Sequence, residues 1–353
     1  MDRIHTSDGL TLHLRHWPLA GVARGTVQVV HGLGEHLGRY EGVAATLNAA
    51  GWRVVGHDLR GHGRSGGPRG GIPDSAALLS DVAAVLDATR EGGRHVLLGH
   101  SLGGLIAARF VAEALQAPAP WSRPVDGLVL SSPALDPGMS AFQKLLLAVA
   151  APLAPGLALG NGLQPAWICR DPEVVRRYVE DPLVHDRVTP RLVRFIVDAG
   201  ALVRQRAANW TTPTLLLWAG ADRCVAPAGS AAFAAAAPAA VVTAQVFPSL
   251  YHEIFNEPER LDPLAHLTRW LDKFSQETRP RMPPSAPPRL PPWPPWPSTA
   301  TPPGTSASCP RSPSTSRCRP RARCSTPPGP STACSTASCA TPRPGSKAAR
   351  SPD

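Results

Sequence analysis

Ser101 lies between Gly99 and Gly103 in the segment LLGHSLGG. It follows a short apolar run at 95–98 and precedes a stretch over 105–115 that reads as a helix. Glycines two residues before and two after a serine let the backbone close into a sharp strand-to-helix turn, which lifts the hydroxyl above the sheet edge. There a base and a substrate can both reach it. A serine hydroxyl is a weak nucleophile alone: it needs a base to take its proton and donors to hold the charge that develops on the attacked oxygen.

In chains built round such an elbow, the acid follows the nucleophile and the histidine comes last. The apolar run 214–218 reads as a buried strand and is followed by Ala219-Gly220-Ala221-Asp222. A carboxylate just past a strand's C-terminal end lies on the same rim of a parallel sheet as the elbow, where it can orient an imidazole. Asp222 is therefore the expected acid. Asp126 precedes its neighbouring strand, at the wrong rim, and Asp136 heads an apparent insertion. His252 follows the strand at 241–247 in the loop Pro248-Ser249-Leu250-Tyr251-His252-Glu253 and is the expected base. His266 sits at helical spacing facing solvent, and His185 falls within the insertion. His252-Glu253 does not open a zinc motif, because the position that should repeat the histidine is Asn256. Two backbone N–H groups should form an oxyanion hole: that of Leu102, after the nucleophile, and that of Leu33, in the glycine-rich loop after the strand at 26–30.

Five segments carry a family resemblance: HGLGEHLGRY (31–40), HDLRGHGRSGG (57–67), GHSLGG (99–104), GADRCV (220–225) and YHEIFNE (251–257). Over residues 5–275 the chain resembles the monoacylglycerol lipase and lysophospholipase group of serine α/β-hydrolases. The resemblance implies Ser101 as nucleophile, Asp222 as acid, His252 as base, and Leu33 and Leu102 as backbone donors. It also implies that Glu35, His36, Arg39 and Tyr40 form a polar network beneath the site rather than touching substrate. The implied activity is cleavage of a small lipid ester through an acyl-enzyme. An acyltransferase using the same triad and a proline-aminopeptidase-like peptidase are the alternatives. The peptidase would need an acidic lid pocket for the substrate's amine, and 139–159 offers none.

The elements that must position these residues alternate. Strand-like runs at 10–14, 26–30, 52–57, 95–98, 127–132, 214–218 and 241–247 are interleaved with helical stretches at 75–90, after Ser101, and at 259–275. This order argues for an α/β fold, a mostly parallel sheet wound on both faces. The interval between 132 and 214 is far longer than a crossover needs, so an inserted helical lid is expected over about 136–208. Its first half, 139–159, is nearly uncharged: either a helix packed on the core or an apolar cap over the acyl pocket that also touches a lipid interface. Its second half, 171–206, is charged and helical in pattern, with Pro172 and Pro190 suited to first-turn positions. Gly61-His62-Gly63-Arg64-Ser65-Gly66 matches a dinucleotide fingerprint, but the glycine-rich loop after it cannot open a helix, so no nucleotide cofactor is expected. No metal site is expected either.

The net charge of +10 suggests a nucleic-acid binder until it is located. Residues 279–353 hold eleven Lys or Arg and one Asp, so residues 1–278 are balanced at 25 of each sign. The basic patch that phosphate binding requires is thus not implied for the folded part. The same segment holds 21 of 41 prolines and five of seven cysteines, without a single Val, Ile, Phe or Tyr. It cannot bury enough apolar surface to order itself, and the expectation is a hydrolase domain over 1–278 followed by a disordered tail. The tail's residue set is what GC-rich codons encode in an unselected frame, so it reads as a frameshifted or read-through extension. Cys169 and Cys224 are too few for a disulfide framework, which fits a reducing, cytoplasmic compartment. The N-terminal residues lack a signal-peptide pattern, and no apolar run is long enough to span a membrane. Membrane contact, if made, is expected to be peripheral and through the lid.

Overall fold

The computed structural model describes residues 2–115 and 117–276, so the expected tail over 279–353 lies outside the described residues. In chain order the elements are β1 (Arg3–His5), β2 (Thr11–Trp17), β3 (Gly25–Val30), α1 (Glu41–Ala49), β4 (Arg53–His57), α2 (Ala77–Thr89), β5 (Arg94–His100), α3 (Leu102–Ala114) and β6 (Gly127–Ser131). Then come α4 (Ala141–Leu153), β7 (Leu159–Gly160), α5 (Pro172–Glu180), β8 (Arg187–Val188), α6 (Pro190–Arg206), β9 (Thr214–Ala219), α7 (Pro227–Ala236), β10 (Val242–Phe247) and α8 (Leu261–Gln276).

Eight strands form one sheet in the order β1-β2-β4-β3-β5-β6-β9-β10. The pairs β1–β2 and β2–β4 are antiparallel, and every other pair in this sheet is parallel. This is the α/β-hydrolase fold. The central strands read as unbroken apolar runs because both faces are covered. Along β9, Leu215 and Leu217 enter one core while Leu216 and Trp218 enter the other, and β5 divides the same way at Val96, Leu97 and Leu98. One core is closed by α1 and α8 through Val43, Leu47, Leu267 and Leu271. The other is closed by α2, α3, α6 and α7 through Leu79, Ile106, Phe195 and Phe233.

The expected insertion divides into two physically different parts. α6 packs against α3, with Leu192, Phe195, Ile196, Ala199 and Val203 in the main core, so it belongs to the body of the fold. Residues 141–188 form the cap proper. Pro172 and Pro190 open their helices behind the side-chain caps Asp171 and Thr189. The core-packed reading of 139–159 fails: α4 buries Leu147 alone and exposes Phe142, Leu145, Leu146, Val149 and Leu153, with Phe142 at 73 %. Gly61 to Gly66 form a loop, and the next helix, α2, begins only at Ala77.

Candidate active site

The turn that carries Ser101 depends on glycine. A Cβ at Gly103 would lie 2.0 Å from the Val30 carbonyl oxygen, and one at Gly99 would lie 2.4 Å from that of Gly103. The chain can therefore turn from β5 into α3 only with hydrogen at both positions. Ser101, between them, is held at φ 53°, a left-handed conformation that costs a non-glycine residue about 1–3 kcal/mol. Its backbone is fixed on both sides: Ser101 N donates to Ser131 O at 3.0 Å, and Ala134 N donates to Ser101 O at 3.0 Å. The other described non-glycine residue at positive φ, Ser132 (φ 40°), follows the neighbouring strand β6, whose last residue, Ser131, accepts from Ser101 N. Ser132 N donates to Leu217 O at 2.8 Å and Ala219 N to Ser132 Oγ at 3.3 Å, tying the elbow to the strand that leads to Asp222.

β5, β9 and β10 run parallel, so the loops after them meet at one edge of the sheet. There Ser101 Oγ lies 2.8 Å from His252 Nε2, and His252 Nδ1 lies 2.6 Å from Asp222 Oδ2. The other Asp222 oxygen, Oδ1, accepts from Cys224 N at 2.8 Å and Val225 N at 3.1 Å, which fixes the carboxylate. The His252 and Asp222 side chains are only 7 % and 2 % exposed. Burial alone would lower the pKa of His252, but the Asp222 carboxylate more than offsets this and the imidazole ends above its ordinary value. His100, whose ring centroid is 4.7 Å from that of His252, is pushed down to about 4 by burial and by that neighbour, so it stays neutral. The rival residues lie elsewhere. Asp126 caps the opposite end of the sheet at His95 N, Asp136 accepts from Gly138 N, and His266 sits on α8 beside Asp262.

Leu33 and Leu102 flank the serine. Leu102 is the first residue of α3, where a backbone N–H has no intrahelical acceptor. The Leu33 loop presses on the elbow, since a Cβ at Gly32 would lie 3.1 Å from Ser101 Cβ. Glu35 braces this loop from below: its Oε1 accepts from Gly32 N at 2.5 Å and from Tyr40 Oη at 2.7 Å. Arg39 donates to Glu35 Oε2 at 3.1 Å and forms a two-pronged pair with Glu253, Nη2 to Oε2 being 2.7 Å. Burial opposes charge on Glu35, yet Arg39 and the surrounding donors bring its pKa down to about 2. Two parts of the expected network are corrected. Glu35 also lines the cavity above, and His36 bonds not to this group but to Asp181 of the cap, at 2.8 Å.

A cavity of about 320 Å³ opens over Ser101 and His252. Leu33, Ile168, Val179 and Val184 supply apolar wall, and Glu35, Tyr178, His185 and Glu253 supply polar wall. Its lining includes no α4 residue, so the expected apolar cap of 139–159 over the acyl pocket is corrected: the cap wall comes from residues 161–186 instead. The cap residues here, Tyr178 above all, were not identified from sequence as site residues. Tyr178 stacks over the Arg39 guanidinium at 4.7 Å, a contact that exists only once the cap has folded back. Among the described residues, one group has the ligand types and spacing for a metal: Asp222, Cys224 and His252, with ligand atoms within 4.8 Å. Two of its three atoms already bond each other, and burial holds the Cys224 thiol well above its ordinary pKa and hence protonated. No described helix is long and apolar enough to cross a membrane.

Residues 21–259 match the model of the family described as serine aminopeptidase, S33. A monoacylglycerol lipase of Mycolicibacterium smegmatis is 37 % identical over 254 residues, covering 70 % of this chain and 88 % of the relative. The phospholipase YtpA of Bacillus subtilis is 29 % identical over 253 residues, 70 % of this chain and 95 % of its own length. Among solved structures, the monoacylglycerol lipase of Paleococcus ferrophilus superposes with a TM-score of 0.67 at 34 % identity, covering 74 % of this chain and 99 % of that one.

Proposed function

This chain belongs to the serine aminopeptidase S33 family and, within it, to the monoacylglycerol-lipase-like α/β-hydrolases, and we propose that it is a carboxylester hydrolase that cleaves monoacylglycerol-type esters through a Ser101 acyl-enzyme. The observation that carries this reading is the hydrogen-bonded line from Ser101 Oγ through His252 to Asp222, at 2.8 and 2.6 Å, on a strained elbow.

Ser101 Oγ attacks the ester carbonyl as His252 Nε2 takes its proton. Asp222 stays ionised, holding Nδ1–H toward itself and stabilising the imidazolium. The carbonyl oxygen becomes an oxyanion between the N–H groups of Leu33 and Leu102. Collapse of this intermediate expels the alcohol, which leaves with the proton from His252. Water then gives a proton to the same nitrogen, attacks the acyl-enzyme, and the fatty acid departs as Ser101 regains its proton.

The buried carboxylates Glu35 and Glu253 share the Arg39 guanidinium. Neither is left unpaired for a peptide's ammonium, and the ester reading is favoured over the peptidase. The exposed face of α4 suits contact with a lipid surface, where such substrates reside. Hydrolysis of 1-decanoylglycerol to decanoate and glycerol by the full chain tests the reading. Ser101→Ala should remove turnover, and retained turnover would overturn the assignment of Ser101.

A further inference from the structure

His252 is followed by a tight loop over 253–257. Ile254 N donates to His252 O at 3.1 Å, and Asn256 N donates to Glu253 O at 2.8 Å. Ile254 and Phe255 sink the middle of this loop into the core. The residues on either side of them are held from outside, by three consecutive residues of the cap. Glu253 N donates to Ile168 O at 2.8 Å, Cys169 Sγ to Asn256 O at 3.3 Å, and Arg170 N to Glu257 Oε1 at 2.6 Å. The Arg170 guanidinium closes the contact, donating through Nε to Glu257 Oε2 and through Nη2 to Glu259. The Glu257 side chain is 0 % exposed, and both of its oxygens accept from Arg170, 87 residues away in the chain. A carboxylate buried this completely is tolerated only with a cation and donors in place. The loop that carries His252 therefore depends for its shape on the seating of residues 168–170.

We propose that Arg170 is a positioning residue for the general base: by holding Glu257 it fixes the loop behind His252, so that the imidazole lines up with Ser101 and Asp222 only while this part of the cap is seated. The inference rests on the ester-hydrolase reading of Ser101. Arg170 reaches no reacting atom and does not line the cavity, although its neighbour Ile168 does. Without the guanidinium, Glu257 gains by turning out to water, and the loop, with His252 on it, is drawn away from Asp222. A misplacement of about 1 Å costs roughly 100-fold in rate. It also alters the balance of groups around the imidazole. Burial lowers the pKa of His252, while Asp222, then Glu253 and Glu35, raise it. His100 and Cys224 beside it are uncharged at pH 7. A looser Asp222 contact lets burial prevail, and the pKa falls.

The test measures kcat, KM and the acid limb of kcat/KM on p-nitrophenyl butyrate for the full chain, Arg170→Gln and Arg170→Lys, with far-ultraviolet circular dichroism to confirm folding. Arg170→Gln should lower kcat by roughly 10- to 100-fold, leave KM within about twofold, and move the acid limb to lower pH. Arg170→Lys, which returns a cation to Glu257, should recover most of both losses. Should Arg170→Gln not fold, Arg170→Gln/Glu257→Gln takes its place, since it leaves no charge buried without a partner; the same losses are expected. An unchanged kcat and limb in the variant, with the unaltered chain turning over the ester and labelled at Ser101 by a fluorophosphonate, would overturn the positioning role alone. So would a fall in kcat with an unmoved limb, or one that lysine does not recover, because a merely structural support gives either. No turnover and no labelling of the unaltered chain would overturn the hydrolase reading and the positioning role with it.

Discussion

His185, in the cap, donates its backbone N–H to the carbonyl of Gly34 at 2.9 Å, while the His185 carbonyl fills the space where a Gly34 Cβ would stand, only 2.3 Å away. Gly34 has φ +80° and directly follows Leu33, so the cap is locked onto the loop proposed to supply an oxyanion donor. Gly34→Ala must displace one of them. The expected outcome is a fall in kcat of roughly 100-fold, the scale of losing one oxyanion donor, with little change in KM. Steady-state kinetics on a variant whose far-ultraviolet circular dichroism matches that of the unaltered chain checks this; an unchanged kcat would detach the cap from the oxyanion hole.

With His252 as the proposed base, its pKa should set the acid limb of the pH–rate profile, because a base acts only when neutral. Asp222 raises that pKa, so the limb of kcat/KM should fall above the ordinary histidine value of about 6.5. Asp222→Asn removes the charge, should move the limb downward, and should lower kcat by about 10⁴-fold. A limb unmoved by the substitution would show that Asp222 is not the partner that matters.

Arg39 holds two buried carboxylates at once, with side-chain exposures of 11 % for Arg39, 5 % for Glu35 and 6 % for Glu253. Arg39→Met leaves both without their cation and should destabilise the fold by about 3–5 kcal/mol in urea unfolding. The folded-state pKa of Glu35 is depressed to about 2 from 4.5. Its contribution to stability is therefore present above about pH 4.5 and lost as pH falls toward 2. The variant should lack this part of the acid dependence.

α4 carries its apolar residues outward, and nothing described covers them. Replacing Phe142 and Leu146 together with Ser should weaken co-sedimentation with phosphatidylcholine vesicles by at least 10-fold, as expected from losing about 1.5–3 kcal/mol per buried side chain. Hydrolysis of a short water-soluble ester should be spared, because neither residue lines the cavity. Equal sedimentation would remove α4 from any account of lipid contact.

Much of the candidate site was legible because the proposed chemistry is local. The elbow needs Gly99 and Gly103 next to Ser101, and the proposed acid and base each follow a strand whose apolar residues stand out. The fold was legible for the same reason, down to the long interval after β6. α1 and α7 were not anticipated: the alanine-rich PAGSAAFAAA has almost no amphipathic pattern to read. The three residues of β1 were too short to register. The Arg39–Glu253 pair joins positions 214 residues apart, and the Tyr178 contact depends on how the cap folds back. No local spacing carries either one. The division of the expected lid into an α4 that exposes its apolar face and a core-bound α6 follows from which face each helix buries, and both helices contain enough apolar residues to allow either outcome.

The central claim is that Ser101 becomes acylated with His252 as its base. Intact-mass analysis after brief exposure to a fluorophosphonate, followed by peptide mapping, reads this directly. One adduct per chain on Ser101, none in Ser101→Ala and strongly slowed labelling in His252→Ala is the predicted result. Ester turnover by the unaltered chain with no adduct on Ser101, or with the adduct on another residue, would contradict it.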